Sequence, residues 1–184
     1  MALTDRSDAE LLIQFRQPQT KESAFTAIIK KYQEKLYWHI RRMVIDHDDA
    51  NDVLQNVFIR VWNGLGNFRE DSQLYTWLYR IATNESLTFL EQQKKRTAIS
   101  LSDVETGLSN KIKADKHFDP NKLEWKLQLA IQQLPEKQRL VFSLRYYDEI
   151  PYEEMSRVLE TSEGALKASY HHAVKKIEDY IKNH

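Results

Sequence analysis

The pattern that most constrains this chain lies near its C-terminus, in the segment 152–181. Apolar spacing predicts a short helix over about Tyr152–Leu159, a three-residue turn, and a longer helix over about Glu163–Ile181. Ser162 suits the N-cap of the longer helix, because its hydroxyl can accept a backbone N–H there. Two helices joined in this way are typical of a helix-turn-helix, whose second helix usually enters the major groove of DNA.

Composition favours an all-α chain and is compatible with a reducing cytoplasm. Only 4 Gly and 4 Pro occur among 184 residues, and good helix formers are abundant. The absence of Cys excludes disulfides and thiolate zinc sites. No apolar run reaches the roughly 20 residues of a membrane span, and the N-terminus has acids where a signal peptide needs bases, so we expect a cytoplasmic protein. Equal numbers of basic and acidic residues, 27 each, argue against indiscriminate coating of nucleic acid.

Four helices are predicted before residue 97. Their approximate bounds are Asp8–Arg16, Lys21–Met43, Asp48–Gly64 and Leu74–Arg96, each with apolar residues at three-to-four spacing. Two of the four glycines fall between the third and fourth helices, so 64–73 is predicted to be a loop.

A polar stretch separates this part from the helix-turn-helix. Residues 97–122 lack a sustained period and read as a linker. Beyond it, helices are predicted over Leu123–Gln133 and Pro135–Tyr147, with Pro135 at the first helical position. Pro151 can play the same part in the next helix. The expected architecture is therefore two small helical domains, 1–96 and 123–184, joined by a polar linker.

Three segments, taken in order, resemble a known family. The family is the extracytoplasmic-function (ECF) type of bacterial sigma factor, and the segments are DHDDANDVLQNVFIRVW, FREDSQLYTWLYRIATNESLTFLEQQKKR and LEWKLQLAIQQLPEKQRLVFSLRYYDEIPYEEMSRVL with GALKASYHHAVKKI. The resemblance implies an RNA polymerase sigma factor that directs the core enzyme to promoters and assists their opening. It also implies that core RNA polymerase and promoter DNA are partners, together with an anti-sigma factor.

The resemblance gives the third helix a partner. By itself, the acidic cluster from Asp46 to Asp52 is explained as a helix start, because acids in a first turn suit the helix dipole. In the family, the same surface meets a basic coiled coil on the largest polymerase subunit. The implied polymerase-binding residues are Asp49, Asp52, Gln55 and Asn56. Asn56 departs from the usual Glu, which removes one charge from the contact.

The fourth helix and the loop before it are implied to read the minus-ten element and to hold a base taken out of the stack. The implied contacts are Phe68, Arg69, Asn84, Lys94, Lys95 and Arg96. Asn84 has both a donor and an acceptor for a base edge. The basic run 94–96 has a second explanation, a favourable charge at a helix C-terminus. Trp77 is expected in the core.

The last helix is implied to read the minus-thirty-five element. The candidate contacts are Ser162, Lys167, Ser169, His171, His172, Lys175 and Lys176, whereas Ala165, Leu166, Ala173, Val174 and Ile177 are core candidates. Glu160 replaces a usual turn glycine and would cost about 1 kcal/mol if left-handed. An apolar patch around Leu140, Phe142 and Leu144 is expected to take the flap of the second large polymerase subunit.

Other functions stay open on residues alone. A stand-alone helix-turn-helix regulator would need a dimerisation seam in the first domain. A decoy that binds an anti-sigma factor could lose the DNA-reading residues. No catalytic or cofactor motif is present. The adjacent pair His171-His172 is a poor metal site, because neighbours on a helix point about 100° apart. We therefore expect no enzyme activity, no cofactor and no metal.

Overall fold

The structure, a computed structural model, describes residues 6–97, 110, 113, 119 and 121–184. All regular structure in those residues is helical, which confirms the all-α prediction. The chain divides into two compact units, Met1–Phe89 with Arg157–Leu159 and Leu90–Ser156 with Glu160–His184. Most of the predicted linker, 97–122, lies outside the described residues.

Helices α1 to α4 agree with the sequence prediction to within one or two residues. They span Asp8–Phe15 (α1), Lys21–Val44 (α2), His47–Gly64 (α3) and Leu74–Thr97 (α4), with a 3-10 turn at Leu65–Asn67 before the irregular part of the loop. A capping box starts α1. The Ser7 hydroxyl accepts the Glu10 N–H, and the Glu10 carboxylate accepts the Ser7 N–H, so two donors at the helix start are satisfied.

The core of the first unit forms around α2, which packs against α1 and α3. Its apolar stripe buries Ile28, Leu36 and Ile40 completely. His39 lies in the same stripe and is also completely buried, and its Nε2 is 2.9 Å from the Thr83 hydroxyl of α4. A buried polar group is costly without a partner, so this bond satisfies the His39 Nε2 and ties α2 to α4 beside the contact of the His39 ring with the Tyr79 ring.

Polar contacts fix the start of α1 against α2. The Asp8 carboxylate accepts from the Lys31 ammonium at 2.7 Å and from the Tyr32 hydroxyl at 2.6 Å. Burial of the Tyr32 ring and the hydroxyl's bond to Asp8 raise the pKa of Tyr32.

The remaining helices are α5 (Leu123–Gln132), α6 (Glu136–Tyr146), α7 (Tyr152–Leu159) and α8 (Glu163–Asn183). The core of the second unit is built mainly from α5, α6 and α8. It contains Ala130, Ile131, Leu134, Phe142, Ala173 and Ile177. Buried residues of α8 lie on one face of the helix, at Leu166, Ala173 and Ile177, which leaves the opposite face to solvent.

Three local predictions were wrong. Pro135 and Pro151 are the N-caps of α6 and α7, with ψ of 144° and 149°, and the helices begin one residue later. Proline restricts φ alone, so the sequence could not separate an extended N-cap from a first helical residue. Ala165 is exposed, whereas Leu166, Ala173 and Ile177 are buried as predicted. A methyl group near a helix start gains too little from burial to fix the helix rotation.

The turn of the helix-turn-helix contains a left-handed residue that is not glycine. Glu160 has φ 51° and ψ 42° at the end of α7. Similar positive φ values occur at Ile45, Glu70 and Glu149. An L-residue with a Cβ costs about 1 kcal/mol or more in this region, so each of these turns is held by its surroundings against a local preference.

Replacement of Glu160 by Gly should stabilise the chain. Glycine removes the Cβ penalty at φ 51°, although its greater freedom in the unfolded chain offsets part of the gain. We expect the free energy of unfolding to rise by roughly 0.5 kcal/mol, measured by urea denaturation followed by circular dichroism. Glu178→Gly on the exposed side of α8 is the control and should lower it by about 1 kcal/mol. Equal losses in both variants would contradict the explanation.

Candidate protein and nucleic-acid interfaces

An acidic and amide-rich stripe runs along the outer face of α3. Asp46 caps the helix, because its carboxylate accepts the backbone N–H groups of Asp48 and Asp49 at 3.0 and 3.3 Å. The predicted polymerase contacts Asp52, Gln55 and Asn56 are exposed, and Asp49 is half-buried. The opposite face buries Ala50, Val53, Val57 and Val61. The structure therefore brings all four predicted residues to one side of α3.

This stripe ends in an apolar residue, Ile59, that was not among the predicted contacts. Ile59 is 55% exposed and lies seven residues after Asp52 and three after Asn56, which places it on the same face. The spacing of apolar residues in the sequence indicated this exposure. The residues at 50, 53, 57 and 61 form one buried face of the helix, and position 59 does not lie on that face. A partner for this face would therefore meet carboxylate, amide and aliphatic groups in succession.

The loop after α3 packs against Trp77 through the Phe68 ring. The Phe68 ring packs against the Trp77 indole at 5.1 Å between centroids, and Phe68 is only 7% exposed. Gly64 lets the indole approach, since a Cβ at this position would lie 3.2 Å from Trp77 Cζ2. Phe68 was predicted to contact DNA, but in this structure its ring forms the base of the loop, whereas the neighbouring Arg69 is exposed.

One face of α4 carries the other predicted minus-ten contact. Asn84 is exposed and lies seven residues after Trp77, hence on nearly the same side of the helix. Arg80 is also exposed between them and was missed in the sequence analysis, although its spacing of four residues before Asn84 indicated it. In the last turns of α4, Lys95 and Arg96 are exposed and Lys94 is half-buried.

The helix-turn-helix has the predicted three-residue turn. Ser162 is the N-cap of α8, and its hydroxyl accepts the Ala165 N–H at 3.4 Å, as predicted. Leu166 is almost fully buried one turn later. This pair fixes where α8 begins and which of its sides faces the core.

Most predicted contacts on α8 face solvent. Lys167, His171, His172, Lys175 and Lys176 are exposed, whereas Ser169 is half-buried. Lys167 already has local partners, because its ammonium lies 3.6 Å from the Glu163 carboxylate and 5.6 Å from the centre of the Tyr152 ring. Exposed pairs of this kind contribute little, so this lysine can exchange them for a phosphate at small cost.

The predicted apolar patch on α6 is buried and not exposed at the surface. Leu140, Phe142 and Leu144 are all buried, with at most 8% exposure. Phe142 stacks with both Tyr146 and Tyr170 at 5.1 and 5.7 Å between ring centroids, with small interplanar angles. Burial and the nearby Tyr152 raise the pKa of Tyr170. The exposed apolar group on this helix is Tyr146, at 52%. The assignment of Leu140, Phe142 and Leu144 to an exposed docking patch was therefore wrong.

Two absences hold for the part of the chain that the structure describes. It holds no cluster of three or more histidine, aspartate or glutamate side chains placed to bind a metal ion. None of its helices is long and apolar enough to cross a membrane.

Comparison with known proteins identifies the family. Residues 28–96 match Sigma-70 region 2, and residues 124–177 match Sigma-70, region 4. The RNA polymerase sigma-H factor of Pseudomonas aeruginosa is 31% identical over 184 residues, covering 96% of this chain and 94% of that protein. The ECF RNA polymerase sigma-E factor of Escherichia coli strain K12 is 30% identical over 172 residues, which cover 87% of each. The chain belongs to the ECF sigma factors of RNA polymerase.

Two solved structures share the fold. CnrH in complex with the cytosolic domain of CnrY has a TM-score of 0.70 at 19% identity, with 97% of this chain and 99% of that chain covered. The sigma factor RpoE in complex with the anti-sigma factor NepR from Bartonella quintana has a TM-score of 0.64 at 19% identity, with coverage of 86% and 96%.

The family membership confirms the predicted function. The protein is a sigma factor, which directs core RNA polymerase to promoters and assists their opening in transcription initiation. Sigma factors are initiation factors and not enzymes, as predicted. The stand-alone regulator is not favoured, because its first domain would not match a sigma region.

The Asp46 cap should support the start of the α3 stripe. Asp46→Ala leaves the N–H groups of Asp48 and Asp49 without this acceptor, and we expect the free energy of unfolding to fall by about 1 kcal/mol. Asp46→Asn keeps an acceptor oxygen and should recover most of that loss. Urea denaturation of the full chain checks both variants, and equal losses would show that the side-chain cap is unimportant.

Proposed function

We propose that this sigma factor uses three separate surfaces to bind core polymerase, the minus-ten element and the minus-thirty-five element. The first domain, 1–96, binds core polymerase through the outer face of α3 and reads the minus-ten element with α4 and the loop 67–73. The second domain, 123–184, reads the minus-thirty-five element with α8. The observation that carries the proposal is the α3 stripe, where Asp52, Gln55 and Asn56 face solvent directly opposite a valine core.

The charge of the α3 stripe supports a basic partner. Asp52 and Gln55 present acceptors to Arg or Lys, and Asp49 adds a carboxylate near the helix start. Complementary charges of this kind speed association and fix the register of the two proteins. In the family, the partner is a basic coiled coil of the largest polymerase subunit. Asn56 contributes an amide in place of a charge, and the exposed Ile59 supplies an apolar end.

The proposed minus-ten surface combines a packed aromatic pair with exposed polar side chains. The Phe68 and Trp77 rings pack against each other beneath the loop, while the Arg69 and Asn84 side chains are exposed. Arginine suits phosphate, and an amide can read a base edge. The run Lys94, Lys95 and Arg96 offers further phosphate contacts. This combination fits a strand whose bases have left the duplex stack.

The minus-thirty-five surface lies on the exposed side of α8. Lys167, His171 and His172 are proposed to meet base edges or phosphates in the major groove, and Lys175 and Lys176 to meet phosphates. Ser162 and Ser169 remain candidates as hydroxyl contacts. The chain is neutral overall, so we expect no general electrostatic attraction to DNA to add to the contacts of α8. Weak contacts at the separate sites would add through the polymerase scaffold.

We further propose that the chain acts in the cytoplasm and that an anti-sigma factor binds it. Transcription places a sigma factor with polymerase and DNA, and the chain has no cysteine that would need oxidation. Two structures with the same fold were solved as complexes: the sigma factor RpoE with the anti-sigma factor NepR, and CnrH with the cytosolic domain of CnrY.

Reversal of one charge on α3 should weaken polymerase binding. Asp52→Arg places a cation where a basic partner is expected, so we expect the dissociation constant for core polymerase to rise about tenfold. Glu22→Arg makes the same charge change at the far end of α2 and is the control. Fluorescence titration with core enzyme would check both, and equal affinity of Asp52→Arg and wild type would remove α3 from the interface.

Loss of a phosphate contact on α8 should reduce the salt dependence of promoter binding. Lys175→Ala in the holoenzyme should lower the slope of log affinity against log salt by about 0.9, with little change in promoter preference. Lys182→Ala is the matched control, because Lys182 is exposed in the last turn of α8, beyond the predicted contacts. An unchanged slope for Lys175→Ala would show that this lysine makes no phosphate contact.

Run-off transcription tests the proposal as a whole. Core polymerase and the purified chain, on fragmented DNA of the source genome, should yield discrete start sites that share two upstream motifs at fixed spacing. The free chain should bind the same DNA weakly. Transcripts no different from those of core enzyme alone, or tight sequence-specific binding by the free chain, would contradict it.

A further inference from the structure

One arginine connects the end of α1 to the loop of the proposed minus-ten surface. Arg16 follows the last residue of α1, and its Nη2 donates to the Glu70 carboxylate at 2.7 Å and to the Phe68 carbonyl at 3.4 Å. These contacts join residues that are 54 and 52 positions apart in sequence. A single guanidinium therefore fixes two points of the loop to a separate helix.

The two fixed points enclose Arg69. On one side, the Phe68 ring packs on Trp77 while its carbonyl accepts from Arg16. On the other, Glu70 has φ 60°, a conformation that an L-residue rarely adopts without support. With both neighbours fixed, the backbone direction of Arg69 is fixed as well, and its side chain is exposed.

Arg16 also controls the charge beside Arg69. Glu70 is the residue next to Arg69. Without a cationic partner, the Glu70 carboxylate could pair with the Arg69 guanidinium or repel an approaching phosphate. The ion pair with Arg16 occupies this carboxylate at 2.7 Å. Arg69 thereby keeps its donors for another partner.

We propose that Arg16 is a positioning residue for promoter opening. It holds Phe68 and Glu70 so that Arg69 meets the single-stranded minus-ten segment, and it neutralises the acid that would compete for that arginine. This inference rests on the proposed function of the loop 67–73. Arg16 itself touches no DNA in this proposal.

The contact is suited to position the loop with little effect on folding. Both side chains of the ion pair are 47% exposed, and pairs with that much solvent access contribute little to stability. The effect of Arg16 on promoter opening should therefore be separable from its effect on folding.

The test uses the full chain in the holoenzyme, on a promoter taken from the run-off transcripts. Permanganate footprinting would measure the rate of promoter opening. Arg16→Ala should open the promoter about fivefold more slowly, as expected when a half-exposed charge-assisted bond is lost. It should also discriminate less between bases at the upstream edge of the minus-ten element. Affinity for core polymerase and the unfolding temperature should stay unchanged.

A charge exchange separates pairing from other effects of the substitutions. Arg16→Glu, Glu70→Arg and the double variant form a cycle, and the double variant should open the promoter faster than the two single effects predict. Lys31→Ala is the matched control, since it removes a 2.7 Å ion pair between α1 and α2 that does not touch the loop. We expect the control to open the promoter at the wild-type rate.

The outcomes distinguish this inference from the proposed function. If Arg69→Ala slows opening while Arg16→Ala does not, or if the cycle is additive, the positioning role is wrong and the proposed surface stands. If Arg69→Ala and Asn84→Ala also open the promoter at the wild-type rate, the proposed minus-ten surface is wrong, and the inference fails with it.

Discussion

Burial of one valine stripe sets the rotation of α3, and the proposed polymerase surface depends on that rotation. Val53, Val57 and Val61 are almost fully buried, and each contributes about 1.5 kcal/mol or more when removed from water. The exposed acids on the other side gain at most about 1 kcal/mol each from local charge effects. The apolar face therefore determines which polar groups reach a partner. The same reasoning holds for α8, where Leu166, Ala173 and Ile177 direct the lysines outward.

Several turns adopt conformations that their own residues disfavour. Ile45, Glu70, Glu149 and Glu160 all have positive φ, and no glycine in the described ranges does. Three of these residues adjoin proposed functional segments: the start of α3, the loop before α4 and the turn before α8. Strain of this kind persists when neighbouring elements determine the backbone more strongly than the residue does. At Glu70 a neighbouring group is visible, because Arg16 binds its side chain.

The sequence predicted the helices well because their signals are local and repeated. Apolar spacing placed α1 to α4 within one or two residues, and the N-cap preference of serine placed Ser162 at the start of α8. Signals carried by single residues were weaker. Proline at 135 and 151 was displaced by one position, and the small side chain of Ala165 gave no reliable information about burial.

Sequence distance explains what could not be predicted at the site. The sequence shows that Leu140, Phe142 and Leu144 are apolar, but it does not show whether they are exposed. The structure shows that they are buried and that Tyr146 and Tyr170 stack with Phe142. The resemblance assigned Phe68 to the minus-ten contacts, but only the structure shows that its ring packs on Trp77. The bond from Arg16 to Glu70 spans 54 residues and has no periodic signature.

The neutral charge of the chain is consistent with surfaces that are each weak. With 27 residues of each sign, there is no general attraction to DNA, and each proposed contact depends on the direction of a few side chains. Holding a long, flexible side chain in one orientation is costly, because each such side chain loses rotamer freedom worth roughly 1 kcal/mol or more. Where a partner already restricts a segment, as Arg16 restricts Glu70 beside Arg69, part of that freedom is lost before binding. Pre-positioned side chains on separate surfaces can then add their small free energies on the polymerase, where the second contact forms at high effective concentration. We therefore expect a sigma factor built in this way to gain specificity in the holoenzyme and to bind DNA poorly when free.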